Sequence, residues 1–361
     1  MRVLFLTRYP VEGASSRYRV FQYLPYLGEL GVDCTVQSFM DAGLYDLSIK
    51  PGRTAAKVMA TAEAVFRRLA TLRRWRHYDV IYLQRELFPF GPPLVERWLR
   101  RRGAVLIFDY DDALFIKKAS RYNPLATFFR APEKTLEVFR LVHLVVAGNN
   151  WLRDQAALNG ANAVTVEVAE DISRYVPKKA AGIGKQVTIG WLGSPSTVKY
   201  LKLIESVLKR IHERFPSVRF QLMGGGDFEM SGVPWELENW SLSGEVPALA
   251  RFDIGLMPLP NEDWAMGKSG GKARTYMAAG VVPVCSAIGY NLELIDHDRT
   301  GMLCANLEDW ERSLGVLILD AARRTRMAAA AREEVLSRFS PRLQAEKLKH
   351  ALEDARQGGR A

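Results

Sequence analysis

Cysteine is scarce in this chain. Cys34, Cys285 and Cys304 are the only three in 361 residues. They are far apart and odd in number, which excludes a disulfide framework and a paired zinc spacing and makes a reducing cytoplasm the expected compartment. Long apolar runs are lacking too. No uncharged stretch approaches the about 18 residues that a membrane-spanning helix needs. Arg2 is followed at once by Val3-Leu4-Phe5-Leu6, a strand pattern and not a signal peptide. Internal repeats and long low-complexity segments are absent, and so is the GxxxxGK[ST] phosphate loop. There is no zinc finger, RNA-binding signature or basic arm. The formal net charge of +10 therefore points to phosphorylated ligands or an anionic surface, and no nucleic-acid partner is expected.

What is present is apolar bulk in a regular order. Hydrophobic residues make up 48% of the chain, enough for two cores, and the length suits two domains. Strands are predicted near 3–6, 32–37, 79–83, 104–108, 141–147 and 164–168, with helical patterns between them. Strand and helix alternating in this way imply a parallel sheet with helices on its faces. The pattern restarts at 186–192 and continues at 218–223, 254–258 and 281–285. Pro177 to Lys185 reads as a linker. The expected fold is α/β, with two doubly wound Rossmann-like domains facing a cleft: 1–175, 186–338, and a terminal helix in 339–361 capped by Ser340.

Ligands of such sheets bind beyond the carboxyl ends of the strands, so the loops there hold the candidates. After the first strand come Gly13, Ser15, Ser16, Arg17 and Arg19. Either serine can cap the helix that follows, which is predicted to run to Leu30 with a kink at Pro25. After the strand at 104–108 come Asp109, Asp111 and Asp112. They suit acceptor binding or general-base work, N-capping, or a metal site. Residues 53–77 form a basic, Ala-rich helix pattern with Phe66 and Trp75, either a solvated outer face or a peripheral contact with an anionic membrane.

The second half carries the most specific stretch. A predicted strand leads into Gly267-Lys268-Ser269-Gly270-Gly271-Lys272, then a helix to Ala279 stopped by Gly280. Unpaired N–H groups and the positive end of the helix dipole, close backbone approach at glycine, and two lysines suit a phosphate or diphosphate. A solvated turn is the plainer reading. Gly193, Ser194 and Lys199 follow the first strand of this half. Gly224 and Gly225 follow its second, Asp263 precedes the Gly-Lys loop, and Glu293 lies in the turn after the next strand, where it can cap a helix or touch ligand.

The run Lys272-Ala-Arg-Thr-Tyr-Met-Ala-Ala-Gly-Val-Val-Pro-Val, with Gly289 and Glu293, resembles the donor-site segment of B-fold (GT-B) glycosyltransferases, closest to glycosyltransferase family 4 (glycosyl transferases group 1). The resemblance is strong in 251–304, moderate in 186–226 and weaker in the first domain. It implies that the second domain binds a nucleotide-diphosphate sugar. Lys199, Lys272 and Lys268 would hold the leaving diphosphate, and Thr275 and Asp263 would lie near the ribose and the donor sugar. The first domain would bind a sugar, a lipid-linked acceptor or another hydroxyl acceptor, with an aspartate orienting or deprotonating the hydroxyl. Retention of configuration, no metal and no cofactor beyond the donor are implied too, as is a role in cell-surface polysaccharide, glycolipid or other glycoconjugate synthesis. Most relatives carry two glutamates eight residues apart, where this chain has Gly267 and Thr275, and an arginine where it has Ser194. Two other readings stay open: a non-catalytic nucleotide-sugar-binding subunit, and a B-fold sugar epimerase.

Overall fold

The structure is a computed structural model that describes residues 1–50, 52–116, 132–176 and 186–359. Two compact units are present. The first comprises Met1–Ala169 with Pro341–Ala361, and the second Glu170–Ser340. The Pro177–Lys185 stretch read as a linker lies outside the described residues.

The first unit is built on β1 (Arg2–Thr7), β2 (Asp33–Ser38), β3 (Val80–Gln84), β4 (Leu106–Tyr110), β5 (Leu144–Ala147) and β6 (Ala163–Thr165). Their order is β2-β1-β3-β4-β5-β6, and every pairing is parallel. Inner strands are buried along their length because helices cover both faces, which is why they are apolar without alternation. Val3, Phe5, Tyr82, Ile107 and Val146 share one core with Leu348 and Leu352 of the Pro341–Gly358 helix. Gln344 of that helix accepts the Glu167 backbone N–H at 3.1 Å.

Two local expectations are corrected here. The helix after β1 is broken, into Ala14–Arg19, a 3-10 turn Phe21–Tyr23 and Leu24–Glu29. Pro25 sits in the first turn of the last piece, where its missing N–H costs nothing, so it starts a helix and kinks none. The fourth strand runs two residues later than predicted. Asp109 is therefore inside β4, paired with Gln84 and Val146, and not beyond its end. A charged residue is tolerated there because Arg19 neutralises it.

The second unit has β7 (Thr188–Leu192), β8 (Arg219–Met223), β9 (Trp235–Glu238), β10 (Ile254–Met257), β11 (Val282–Ser286) and β12 (Met302–Cys304). Their order is β12-β11-β10-β7-β8-β9, again all parallel. The order reverses between β7 and β10. In the first unit it reverses between β1 and β3. Crossovers leave in opposite directions at these points and open a crevice outside the carboxyl ends. Among the described residues no helix is long and apolar enough to cross a membrane.

Candidate active site

In the second unit the crevice lies beside the predicted Gly-Lys loop. Gly270 caps the Gly271–Ala279 helix from a left-handed conformation, φ 64°, which suits glycine. One residue into the helix, Lys272 is half-buried. Its Nζ lies 3.4 Å from the Thr197 hydroxyl and 5.4 Å from the Trp191 ring centroid. Burial, with Lys268 close by, pulls the Lys272 ammonium down to about 8. Lys268 lies over the Trp264 ring at 3.8 Å, a cation–π geometry. No acidic side chain pairs with Lys272 among the described residues. A cation desolvated this way, at the positive end of a helix, suits an anionic ligand.

Gly193 and Gly224 meet at the same edge. The Gly193 N–H donates to the Met223 carbonyl at 3.0 Å. Gly224 has φ 86°, and a Cβ there would stand 2.1 Å from the Gly193 carbonyl oxygen. The strand-end loops thus pack backbone to backbone, with Gly225 next in line. Ser194 is exposed and its hydroxyl bonds Ser196 at 2.8 Å. Lys199 is exposed on a 3-10 turn, Val198–Ile204, and the α-helix starts only at Glu205. Asp263 is exposed at the start of Asp263–Met266, and Glu293 is exposed within Asn291–Leu294. Thr275 is buried, and its hydroxyl donates to Glu170 at 2.8 Å.

In the first unit the candidates separate into two groups. Arg19 and Asp109 are completely buried and paired through the guanidinium, with Nε 3.0 Å from Oδ1. Burial raises the Asp109 carboxyl above the usual range, against the pull of Arg19. This pair is internal to the fold. Nearer the surface, Ser15 donates to Asp111 at 2.8 Å, and Arg85 Nη2 stands 3.3 Å from Asp111 and 3.8 Å from Asp112. Neither serine caps the helix. Gly13 is the cap residue, with no side-chain bond, and the Ser16 hydroxyl instead donates to Gln84 at 2.7 Å. Arg17 donates to the Glu12 carbonyl at 3.1 Å and closes its own loop. An open groove of about 720 Å³ lies beside that loop, lined by Val11, Phe21, Val36, Met40 and Arg67 among others.

Sequence reasoning assigned no role to Glu170, Trp191, Thr197, Trp264, Arg8 or Arg85. Glu170 had a weak signal, an acid just past a predicted strand. Trp191, Thr197 and Arg85 join their sites through contacts between distant segments, whereas Trp264 meets Lys268 and Arg8 meets Tyr9 locally.

These two units, each a doubly wound parallel sheet with a switch-point crevice, define the B-type glycosyltransferase fold. Residues 186–320 match the family model Glycosyl transferases group 1, and the enzyme class is glycosyltransferase. Similar solved structures agree in fold. HepE of Anabaena in complex with UDP-glucose is 14% identical over 98% of this chain and 100% of that chain, with a TM-score of 0.67. Sucrose-phosphate synthase from Thermosynechococcus elongatus is 13% identical over 98% of each chain, with a TM-score of 0.67. The lipopolysaccharide outer core galactosyltransferase WaaB is 12% identical over 98% of this chain and 99% of that chain, with a TM-score of 0.65. No curated protein matches in sequence.

Proposed function

We propose that the protein transfers a glycosyl group from a nucleotide-diphosphate sugar to an acceptor hydroxyl, with retention of configuration and without a metal or further cofactor. The observation that carries this reading is Lys272. It is half-buried at the switch point, has no acidic partner among the described residues, and is pulled down to about 8 by burial and Lys268. A diphosphate there would regain the charge that burial disfavours. The same contact would stabilise the departing group as the glycosidic bond breaks. Lys268, Lys199 and the N–H groups behind Gly270 are the supporting donors.

The acceptor is assigned to the first unit, with Asp111 orienting or deprotonating its hydroxyl, held by Ser15 and Arg85. UDP-sugars are the first donors to test, because HepE was solved with UDP-glucose. Glycoconjugate synthesis in the cytoplasm is the setting we favour. A peripheral membrane contact through the Thr54–Leu72 helix is part of the reading, since Met59 and Phe66 are 74% and 66% exposed there and basic residues flank them.

The test is a binding and turnover panel with UDP-, GDP-, ADP-, CDP- and dTDP-sugars on wild type and Lys272→Ala. The expected result is one nucleotide that binds wild type, with turnover lowered roughly a hundredfold in the variant. Wild-type turnover in Lys272→Ala would remove this lysine from the chemistry.

A further inference from the structure

The first unit has its own crevice, at the ends of β1 and β3, and two arginines stand at its rim. Arg8 follows the last residue of β1, and Arg85 follows the last residue of β3. The strands are in register, Leu6 opposite Leu83, and the Arg8 backbone N–H donates to the Gln84 side chain at 3.1 Å. The two guanidinium carbons lie 5.9 and 5.8 Å from the centroid of one ring, Tyr9. Arg8 also faces the Phe39 ring at 5.7 Å.

Their hydrogen bonding is incomplete. Arg8 makes no ion pair among the described residues, and its Nη1 is buried without an acceptor. Arg85 meets Asp111 and Asp112 through Nη2, while its Nε is buried without an acceptor. Burial lowers the Arg8 guanidinium from its ordinary value; Tyr9 and Glu86 act against that shift and Arg85 adds to it. Arg85 also keeps a left-handed backbone, φ 66°, a conformation that costs a non-glycine residue free energy and collects at functional sites.

A neighbouring arginine shows what a purely structural role looks like in this fold. Arg68 is completely buried, and it donates to the carbonyls of Thr7 at 2.7 Å, Leu87 at 3.2 Å and Gln37 at 3.3 Å, although its Nε, like that of Arg85, is left without an acceptor. It ties strand ends together. The Arg8 side chain faces the Tyr9 and Phe39 rings instead, and it stands where parallel sheets receive ligands.

We propose that the ends of β1 and β3 form an oxyanion site, in which Arg8 and Arg85 receive a phosphate or diphosphate group of the acceptor. Two guanidinium groups with free N–H bonds on neighbouring strand ends match an oxyanion with several acceptor oxygens better than a single carboxylate. The acceptor hydroxyl would then lie near Asp111, which Arg85 and Ser15 already orient. The assignment to an acceptor rests on the transferase reading; the anion site does not.

Titration calorimetry tests it with inorganic pyrophosphate, succinate and the nucleoside diphosphate that binds best, on wild type, Lys272→Ala, Arg8→Met and Arg8→Lys. Pyrophosphate is expected still to bind Lys272→Ala, which loses the donor-site contact, and this Lys272-independent binding is expected to weaken roughly tenfold or more in Arg8→Met and to be partly restored in Arg8→Lys. Unchanged nucleotide binding in Arg8→Met shows that the variant is folded; if it is not, Arg8→Lys carries the comparison, with a weakening short of the full loss. Equal pyrophosphate affinity in wild type and both Arg8 variants overturns the site. So does loss of binding in Lys272→Ala, which would place the anion in the second unit. Succinate binding as tight as pyrophosphate overturns the phosphate assignment. Arg8-dependent pyrophosphate binding with no nucleotide binding at all supports the site and overturns only the transferase reading.

Discussion

The Thr275 hydroxyl donates to a carboxylate oxygen of Glu170 at 2.8 Å, and both side chains are buried. The same carboxylate accepts from the Tyr175 hydroxyl at 2.9 Å and lies 3.5 Å from the Arg174 guanidinium. An acid is thus present beside position 275 in space, brought there by a segment 105 residues earlier.

Burial raises the Glu170 carboxyl above its ordinary value, opposed by the bonds from Thr275, Arg174 and Tyr175. The folded chain therefore keeps this proton to higher pH than the unfolded chain does. Where the folded state binds more protons, stability falls as pH rises, from the ordinary glutamate value through the raised one. Glu170→Gln should flatten that fall. Glu170→Ala should cost about 1–3 kcal/mol by stripping two buried hydroxyls of their partner. Denaturant titrations of wild type and both variants across that window check this, and parallel pH profiles for wild type and Glu170→Gln would refute it.

Lys272 has the opposite sign. It gives up its proton near 8 in the folded chain, against an ordinary value of 10.5. Between those values the unfolded state holds more protons, so this residue makes stability rise with pH across the window. Binding of a nucleoside diphosphate should run the other way, weakening as pH passes about 8 because the ammonium is lost. Lys272→Arg should hold its affinity across that range. Calorimetry at several pH values tests the pair, and an equal decline in both proteins would sink the assignment.

Gly224→Ala should be damaging, since its Cβ would stand 2.1 Å from a backbone carbonyl oxygen at φ 86°. A loss above about 1–3 kcal/mol is expected, together with loss of nucleotide binding. Gly226→Ala is the control. It shares a positive φ of 65°, but its Cβ meets only the Pro195 ring at 3.4 Å, so a cost of roughly 1 kcal/mol is expected. Thermal unfolding of both variants decides, and equal losses would mean that the backbone contact is not what matters.

Asp109→Ala should leave Arg19 buried and unpaired, at a cost of about 3–5 kcal/mol. Both side chains are completely buried, so solvent offers little screening. Replacing both, as Arg19→Met with Asp109→Leu, should recover most of that loss. A double-mutant cycle by denaturant unfolding measures the coupling, and additive losses would show that the two do not act as a pair.

Much of this architecture was legible in the chain. Apolar runs such as Val3 to Leu6 mark buried strands because parallel sheets are covered on both faces. Gly267 to Lys272 followed by a helix pattern marks a loop at a helix start. The family match over 186–320 falls where the residue-by-residue resemblance was strong to moderate. Boundaries were less legible. Asp109 reads as the end of a strand from its charge, yet it lies inside β4 because Arg19, 90 residues away, makes its burial affordable. The serines at 15 and 16 read as caps from local chemistry, but both are taken by Gln84, in β3, and Asp111, just past β4.

The sequence by itself determined the α/β class, the alternation of strand and helix, and the Gly-Lys loop opening a helix. These depend on periodicity, turn chemistry and capping, which act over a few residues. Only the tertiary structure decided which charges meet: Arg19 with Asp109, Glu170 with Thr275, Lys272 with Trp191, Arg8 and Arg85 about Tyr9. A side chain's partner depends on which distant strand ends the sheet order brings together, and its charge depends on the burial that packing imposes. Neither quantity is written in the spacing of residues along the chain.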